Sequence, residues 1–264
     1  MSAILRVDNN GAPQPSWPLN LGNQWMFASP YAFPSGRMIA GVGFSGGLLD
    51  QRLIMVDAQG YIDTSFHHYT NAAFFQWLPD GAEHLLMSSP FLNYYDSLPV
   101  NRICRIDTLG NLDTTFRPTL FRWGEAHPLL VQADGKVLVG GTFALHQHPD
   151  TLHLIRLHPD GRLDSSFNNF HTADYKAWGF GTAISTGAIS GIYTVCETSD
   201  GGLLVGGRFS HYQGQPRQGL VKTDADGFLD PNYLYGSGVD SVEFWDSDGQ
   251  SIDIIPGVVR HIVR

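Results

Sequence analysis

The stretch that decides the fold is ADGKVLVGGTFALHQHPDTLHLIRLHPDGRLDSSF, residues 133–167. It holds two phrases, each opened by a turn glycine. The first, DGKVLVGGTF, returns as PSGRMIAGVGF (34–44), PDGAEHLLMSS (79–89), SDGGLLVGGRF (199–209) and a worn SDGQSIDIIPG (247–257). The second, DGRLDSSF, returns as IDTSF (62–66), LDTTF (112–116), LDPNY (229–233) and a worn PQPSW (13–17). The glycines ahead of the second phrase are Gly11, Gly60, Gly110, Gly161 and Gly227. A spacing of roughly 50 residues between such copies is the mark of a repeat architecture.

Inside each copy the apolar runs are short and bounded by Asp-Gly or equivalent turns, the pattern of consecutive hairpins. No amphipathic helix of useful length interrupts them. Four antiparallel strands per unit of about 50 residues make a propeller blade. The chain opens on ILRVDNNGAPQPSW, the second half of a unit, and SVEFWDSDGQSIDIIPG near its other end supplies a first half. Pairing these halves would hide the sheet edges. The expectation is an all-β fold, a β-propeller of five four-stranded blades closed by N- and C-terminal strands in one composite blade. The repeats fall at 22–69, 72–118, 125–170 and 189–236, with the composite formed by 239–264 and 3–17, all in a single domain 1–264. Closure predicts Ile4–Val7 in the same blade as Ser241–Ile255. The interval between Gly161 and Gly201 is long, which places an insertion at about 168–190.

The phrases DGKVLVGGTF (134–143), LIRLHPDGRLDSSF (154–167) and DGGLLVGGRF (200–209) resemble the delta-sixty repeat family of bacterial β-propellers. The likeness is closest in the third and fourth copies and covers most of the chain. It departs in the composite copy, where Pro13 and Gln14 replace the Leu-Asp pair and Ile254 and Ile255 replace the paired glycines. The resemblance implies a propeller and a tendency toward large surface- or particle-associated proteins, and it brings no catalytic motif.

Physical roles follow for the repeated residues. The Leu of LDxxF should point inward and the Phe or Tyr should wedge between neighbouring blades. The Asp should accept a hydrogen bond from the backbone N–H two residues on. The pairs Gly140–Gly141 and Gly206–Gly207 should allow a bulge or a close backbone approach.

Composition narrows function more weakly. Of 264 residues 30 are Gly and 15 Pro, with 12% aromatic, which suits short strands and tight turns. Net charge is −9, which disfavours a nucleic-acid surface. No run approaches the roughly 18 apolar residues of a membrane helix, and MSAILRVDNNGAP carries no pattern of a secretory signal. Lysine occurs only at Lys136, Lys176 and Lys222, and charged residues total 16%. So little surface charge on a β-protein points to a virion or extracellular setting, or to partial burial in an assembly.

Candidate chemistry is thin. Gly43-Phe44-Ser45-Gly46-Gly47 fits G-x-S-x-G, but that motif needs a strand–turn–helix context, and here it lies in a repeat strand. His146 and His148 with Asp150 could approach a metal, yet lack a fourth donor. Asp224, Asp226 and Asp230, and Asp246, Asp248 and Asp253, echo calcium loops without the closing bidentate Glu. Cys104 and Cys196 sit in apolar runs and read as buried thiols. The expectation is no catalytic residue, no metal and no cofactor.

The most individual segment is the insertion, with Tyr175, Trp178 and Phe180 among Gly, Ser and Thr. Exposed rings in such a frame anchor protein partners or stack on sugars. Tyr94 and Tyr95, in the loop Phe91–Leu98, form a second candidate. The chain therefore reads as a non-enzymatic structural or binding module whose partners are proteins of a larger virion, tail or cell-surface assembly. The alternatives are a domain binding surface glycans and an enzyme using the central cleft.

Overall fold

The computed structural model describes residues 24–26, 30–44, 51–72, 76–81, 84–169, 191–233, 242–245 and 251–255, with a few single positions between and after them. Among these every regular element is a strand, every strand pairing is antiparallel, and no helix could cross a membrane. The chain divides into two compact units, Met1–Thr114 and Thr115–Arg264.

In the first unit, Met38–Phe44 lies between Gln24–Met26 and Gln51–Val56, and His68–Thr70 extends the sheet. The small hairpin Tyr94–Tyr95 with Leu98–Pro99 joins at its edge through Thr70 opposite Tyr95. A second sheet runs Ile103–Asp107, His84–Ser88, Gln76–Asp80. Ile39, Leu53, Met55, Leu85, Met87, Tyr95 and Ile106 form one buried cluster drawn from both repeats.

In the second unit, Phe121–Val131, Val137–Leu145 and His148–Leu157 form one sheet, and Gly191–Glu197, Leu203–Arg208 and Leu220–Thr223 another. Val242–Trp245 pairs with Ser251–Ile255 in a hairpin. Leu138, Leu154, Phe167, Ile192, Val205 and Phe209 share a buried cluster. Burying a side chain of this size contributes about 1.5–3 kcal/mol.

The LDxxF phrase forms the fourth element of each described repeat, but it is a single bridge and not a full strand. Ile62 bridges Val56, Leu112 bridges Ile106, Leu163 bridges Leu157 and Leu229 bridges Thr223. The aspartate ends the pairing. Its own N–H still donates to the neighbouring strand, as in Asp63 to Met55 O and Asp164 to Arg156 O, at 2.8 and 2.9 Å. Its carboxylate then accepts the N–H two residues on, at Ser65, Ser166 and Asn232, which turns the chain.

The motif aromatics lock one repeat to the next. A methyl group on Gly110 would lie 2.5 Å from the Phe66 ring, and one on Gly227 would lie 2.6 Å from the Phe167 ring. Both glycines also hold positive φ, +89° and +84°, so each is required twice over. Beside Phe116 the latch is backbone: Arg117 N–H donates to Asp160 O at 2.7 Å. Phe116 and Phe167 are buried, whereas Phe66 and Tyr233 are half-buried. Close approach also explains Gly140, where a methyl group would meet the Ile192 carbonyl oxygen at 2.7 Å.

Candidate functional site

The described surface is richest in exposed rings around the outer hairpin of the second repeat. Tyr94 and Tyr95 are adjacent in a two-residue strand, so alternation sends them to opposite faces. Tyr95 is fully buried, and its hydroxyl donates to the Gly110 carbonyl. That burial raises its hydroxyl pKa well above the phenol range. Tyr95 therefore belongs to the core, correcting its expected place on a partner surface. Tyr94 is 54% exposed. Thr70, opposite Tyr95, is buried, which leaves Tyr69 on the same outer face as Tyr94. Phe91 is exposed in the same loop, and Leu98, opposite Tyr95, is exposed on the other side of the hairpin.

Two short polar side chains hold this surface rigid. Asp96, at φ +53°, takes the Tyr69 N–H on Oδ1 at 2.9 Å and lies 2.9 Å from His68 Nδ1 through Oδ2. Its own N–H donates to Tyr69 O at 2.7 Å. Asn71 Oδ1 accepts the N–H groups of Asn93 and Tyr94 at 2.8 and 2.9 Å, and its Nδ2 donates to Phe91 O. Arg102 donates to Pro90 O at the base of the loop. Asn71 and Asp96 thus fix the loop that carries the exposed rings. Tyr69, Asn71 and Asp96 escaped the sequence reading. Asn71 and Asp96 look there like ordinary turn formers.

Other sequence candidates find structural work or stay separate. Asp224 Oδ1 accepts the N–H groups of Asp226 and Phe228, and Asp226 pairs with Arg156 Nη2 at 3.1 Å. His148 Nδ1 lies 3.8 Å from Asp150 Oδ2, and no group of three or more metal-binding side chains gathers among the described residues. Gly43 and Phe44 end a strand that pairs directly with the next, while Ser45–Gly47 lie outside the described residues. Asp246 and Asp248 lie outside them too. Cys104 and Cys196 are free thiols, and burial pushes that of Cys104 well up. Tyr175, Trp178 and Phe180, with the whole of 170–190, lie outside the described residues, as do Ile4–Val7.

With this geometry in view, similarity to known proteins concerns the repeats. Residues 132–167 and 198–233 match the model of a family described as a domain of unknown function (DUF5122), beta-propeller. Both segments run from the strand end before a first-phrase turn through the LDSSF or LDPNY that follows. The match supports a β-propeller repeat family. A crystal structure at 1.35 Å of a protein of unknown function from Bacteroides caccae is similar at 12% identity and a TM-score of 0.39, over 85% of this chain and 72% of that one. No curated protein matches the chain.

Proposed function

We propose that this chain is a non-enzymatic propeller module that holds a protein partner in a larger assembly through the outer hairpin of its second repeat. The observation that carries the reading is the exposed aromatic group of Tyr69, Phe91 and Tyr94, on a loop that Asn71 and Asp96 fix by hydrogen bonds. An aromatic face on a fixed loop suits a protein surface, where rings fill pockets. Carboxylates serving turns, as at Asp63, Asp164 and Asp224, support a module without acid–base chemistry.

The same reading takes the repeats as delta-sixty-like, numbering five blades within 1–264 and closed by strands from both ends. Their bounds are those of the sequence, and the insertion at about 168–190 adds Tyr175, Trp178 and Phe180 to the partner surface. A virion, tail or cell-surface setting fits the low charge.

The test is sedimentation of the purified chain alone and within its native particle or surface fraction. The double variant Phe91→Ser/Tyr94→Ser should keep its fold and lose co-sedimentation. Retained assembly, together with glycan-array binding that the double variant abolishes, would move the function to sugars. Deletion of Thr172–Thr186 separates the two surfaces: unchanged assembly would exclude the insertion.

A further inference from the structure

We infer that the cleft between the hairpin turns of the first and second repeats binds a sugar residue carrying a carboxylate, such as a hexuronic acid within an otherwise neutral saccharide. The cleft has a volume of about 570 Å³ and lies wholly within the first unit. That size falls in the range of small-ligand sites, about 300–1,000 Å³.

Comparison with the third and fourth repeats shows why it is open. Phe33 occupies the place of Gln132: each donates its N–H to the residue four positions on, Arg37 or Lys136, at 2.8 Å. Pro79 occupies the place of Glu197, since each faces the first leucine of the following strand, Leu85 or Leu203. Between the later repeats, Gln132 Nε2 donates to Glu197 Oε1 at 3.0 Å and bridges the junction. Between the earlier ones a ring and a proline stand at those positions, and both line the cleft. The polar bridge is absent by substitution of both its ends.

The lining has three kinds of group, and together they fit one ligand. Tyr31 and Phe33 pack edge to face, with centroids 5.0 Å apart, and both are half-buried. Such rings accept the C–H face of a pyranose. Ser35 and Thr108 supply hydroxyls that can pair with a polyol. Arg37 and His84 bring nitrogen donors, and a guanidinium binds a carboxylate in a two-pronged geometry. Arg37 is only loosely ion-paired with its neighbour. Its Nη2 lies 3.9 Å from Asp63 Oδ2, beyond hydrogen-bond reach. Lys136, its counterpart, sits 3.3 Å from both Asp134 and Asp164. The chain's net charge of −9 opposes a long polyanion, so the site takes a single acidic residue.

This inference stands apart from the hairpin surface, and the Phe91→Ser/Tyr94→Ser variant should leave it unchanged. The experiment is calorimetric titration of the full chain with a trisaccharide ending in glucuronic acid and with the same trisaccharide ending in glucose. The acidic sugar should bind about tenfold more tightly, as one charge-assisted pair allows. Arg37→Gln should erase that preference. Phe33→Gln, restoring the residue of the third repeat, should weaken both sugars. Each variant is checked for an unchanged melting temperature, and Thr108→Val replaces any that fails, with weaker binding of both sugars expected. Equal affinity for the two sugars, no binding of either, or binding of a proline-rich peptide in place of the sugars would overturn the inference.

Discussion

The junction between the third and fourth repeats is clamped by charge, whereas the junction between the first and second is packed by apolar groups. At the former, Arg156 is 4% exposed and spends its guanidinium on Asp164, Ser166, the Ala225 carbonyl and Asp226. It also lies 4.8 Å from the centre of the Phe167 ring. At the latter, Met55 holds the same place, because Asp63 donates to Met55 O as Asp164 donates to Arg156 O. Met55 is fully buried, and Asp63 draws instead on Ser65, with Arg37 more distant. One backbone frame therefore accepts two chemistries. The frame is set by bridges, Asx-turns and the aromatic latch, all present at both junctions, so the strand position beside the aspartate is free to vary. Arg105 in the second repeat occupies the corresponding place and pairs with Asp80 and Asp113.

If the aromatic latch is the common element, removing it should cost most where it is deepest. Phe167→Ala should destabilise by about 3–5 kcal/mol, and half-buried Phe66→Ala by roughly half as much. Urea unfolding followed by fluorescence gives both numbers, and equal losses would break the contrast. Next in size is the clamp itself. Arg156→Met copies the first junction into the second and should cost about 2–3 kcal/mol, because Asp164 keeps Ser166 and Lys136 but loses its main cation. A neutral result would mean that the apolar and charged solutions are interchangeable.

The glycines offer a smaller and cleaner comparison. Gly201 and Gly227 share the same φ, +84°, but a methyl group on Gly201 meets nothing within 4 Å. Gly201→Ala should therefore cost only the left-handed penalty, about 1–2 kcal/mol. Gly227→Ala should cost about 1 kcal/mol more, since the Phe167 ring must move. Equal melting temperatures for the two variants would show that the latch is loose.

The shared frame was legible in the sequence because it repeats. Asp164 and Ser166 announce an Asx-turn, and every copy has an aromatic residue at the place of Phe167 and a glycine at the place of Gly227. The length of the fourth element was not, since LDSSF alternates like a strand until its aspartate captures Ser166. Nor were the contacts that distinguish the junctions. Gln132 and Glu197 meet across 65 positions, and Arg156 reaches Asp226 across 70, with nothing local to pair them. Tyr94 and Tyr95 could be told apart as facing opposite ways, but which one faced the core depended on Thr70 and Gly110, both distant in sequence.

The smallest effect, and the one that reads the clamp without altering packing, is the response to acid. Burial opposes the Asp164 charge, but hydrogen bonds from Ser166 and the Arg156 guanidinium outweigh it and hold the carboxyl below the usual carboxylate range. A carboxyl depressed in the folded state contributes stability above its unfolded pKa, near 3.9, and loses it as pH falls through the window below. Between pH 5 and pH 3.5 this one group should remove less than about 1 kcal/mol. Arg156→Met withdraws part of the cause, so its stability should fall less steeply across the same window, although it starts lower. Equilibrium unfolding of both proteins at the two pH values gives the slopes. Parallel slopes would mean that Ser166 and Lys136 hold the Asp164 charge without Arg156. The two junctions would then differ in packing and not in electrostatics.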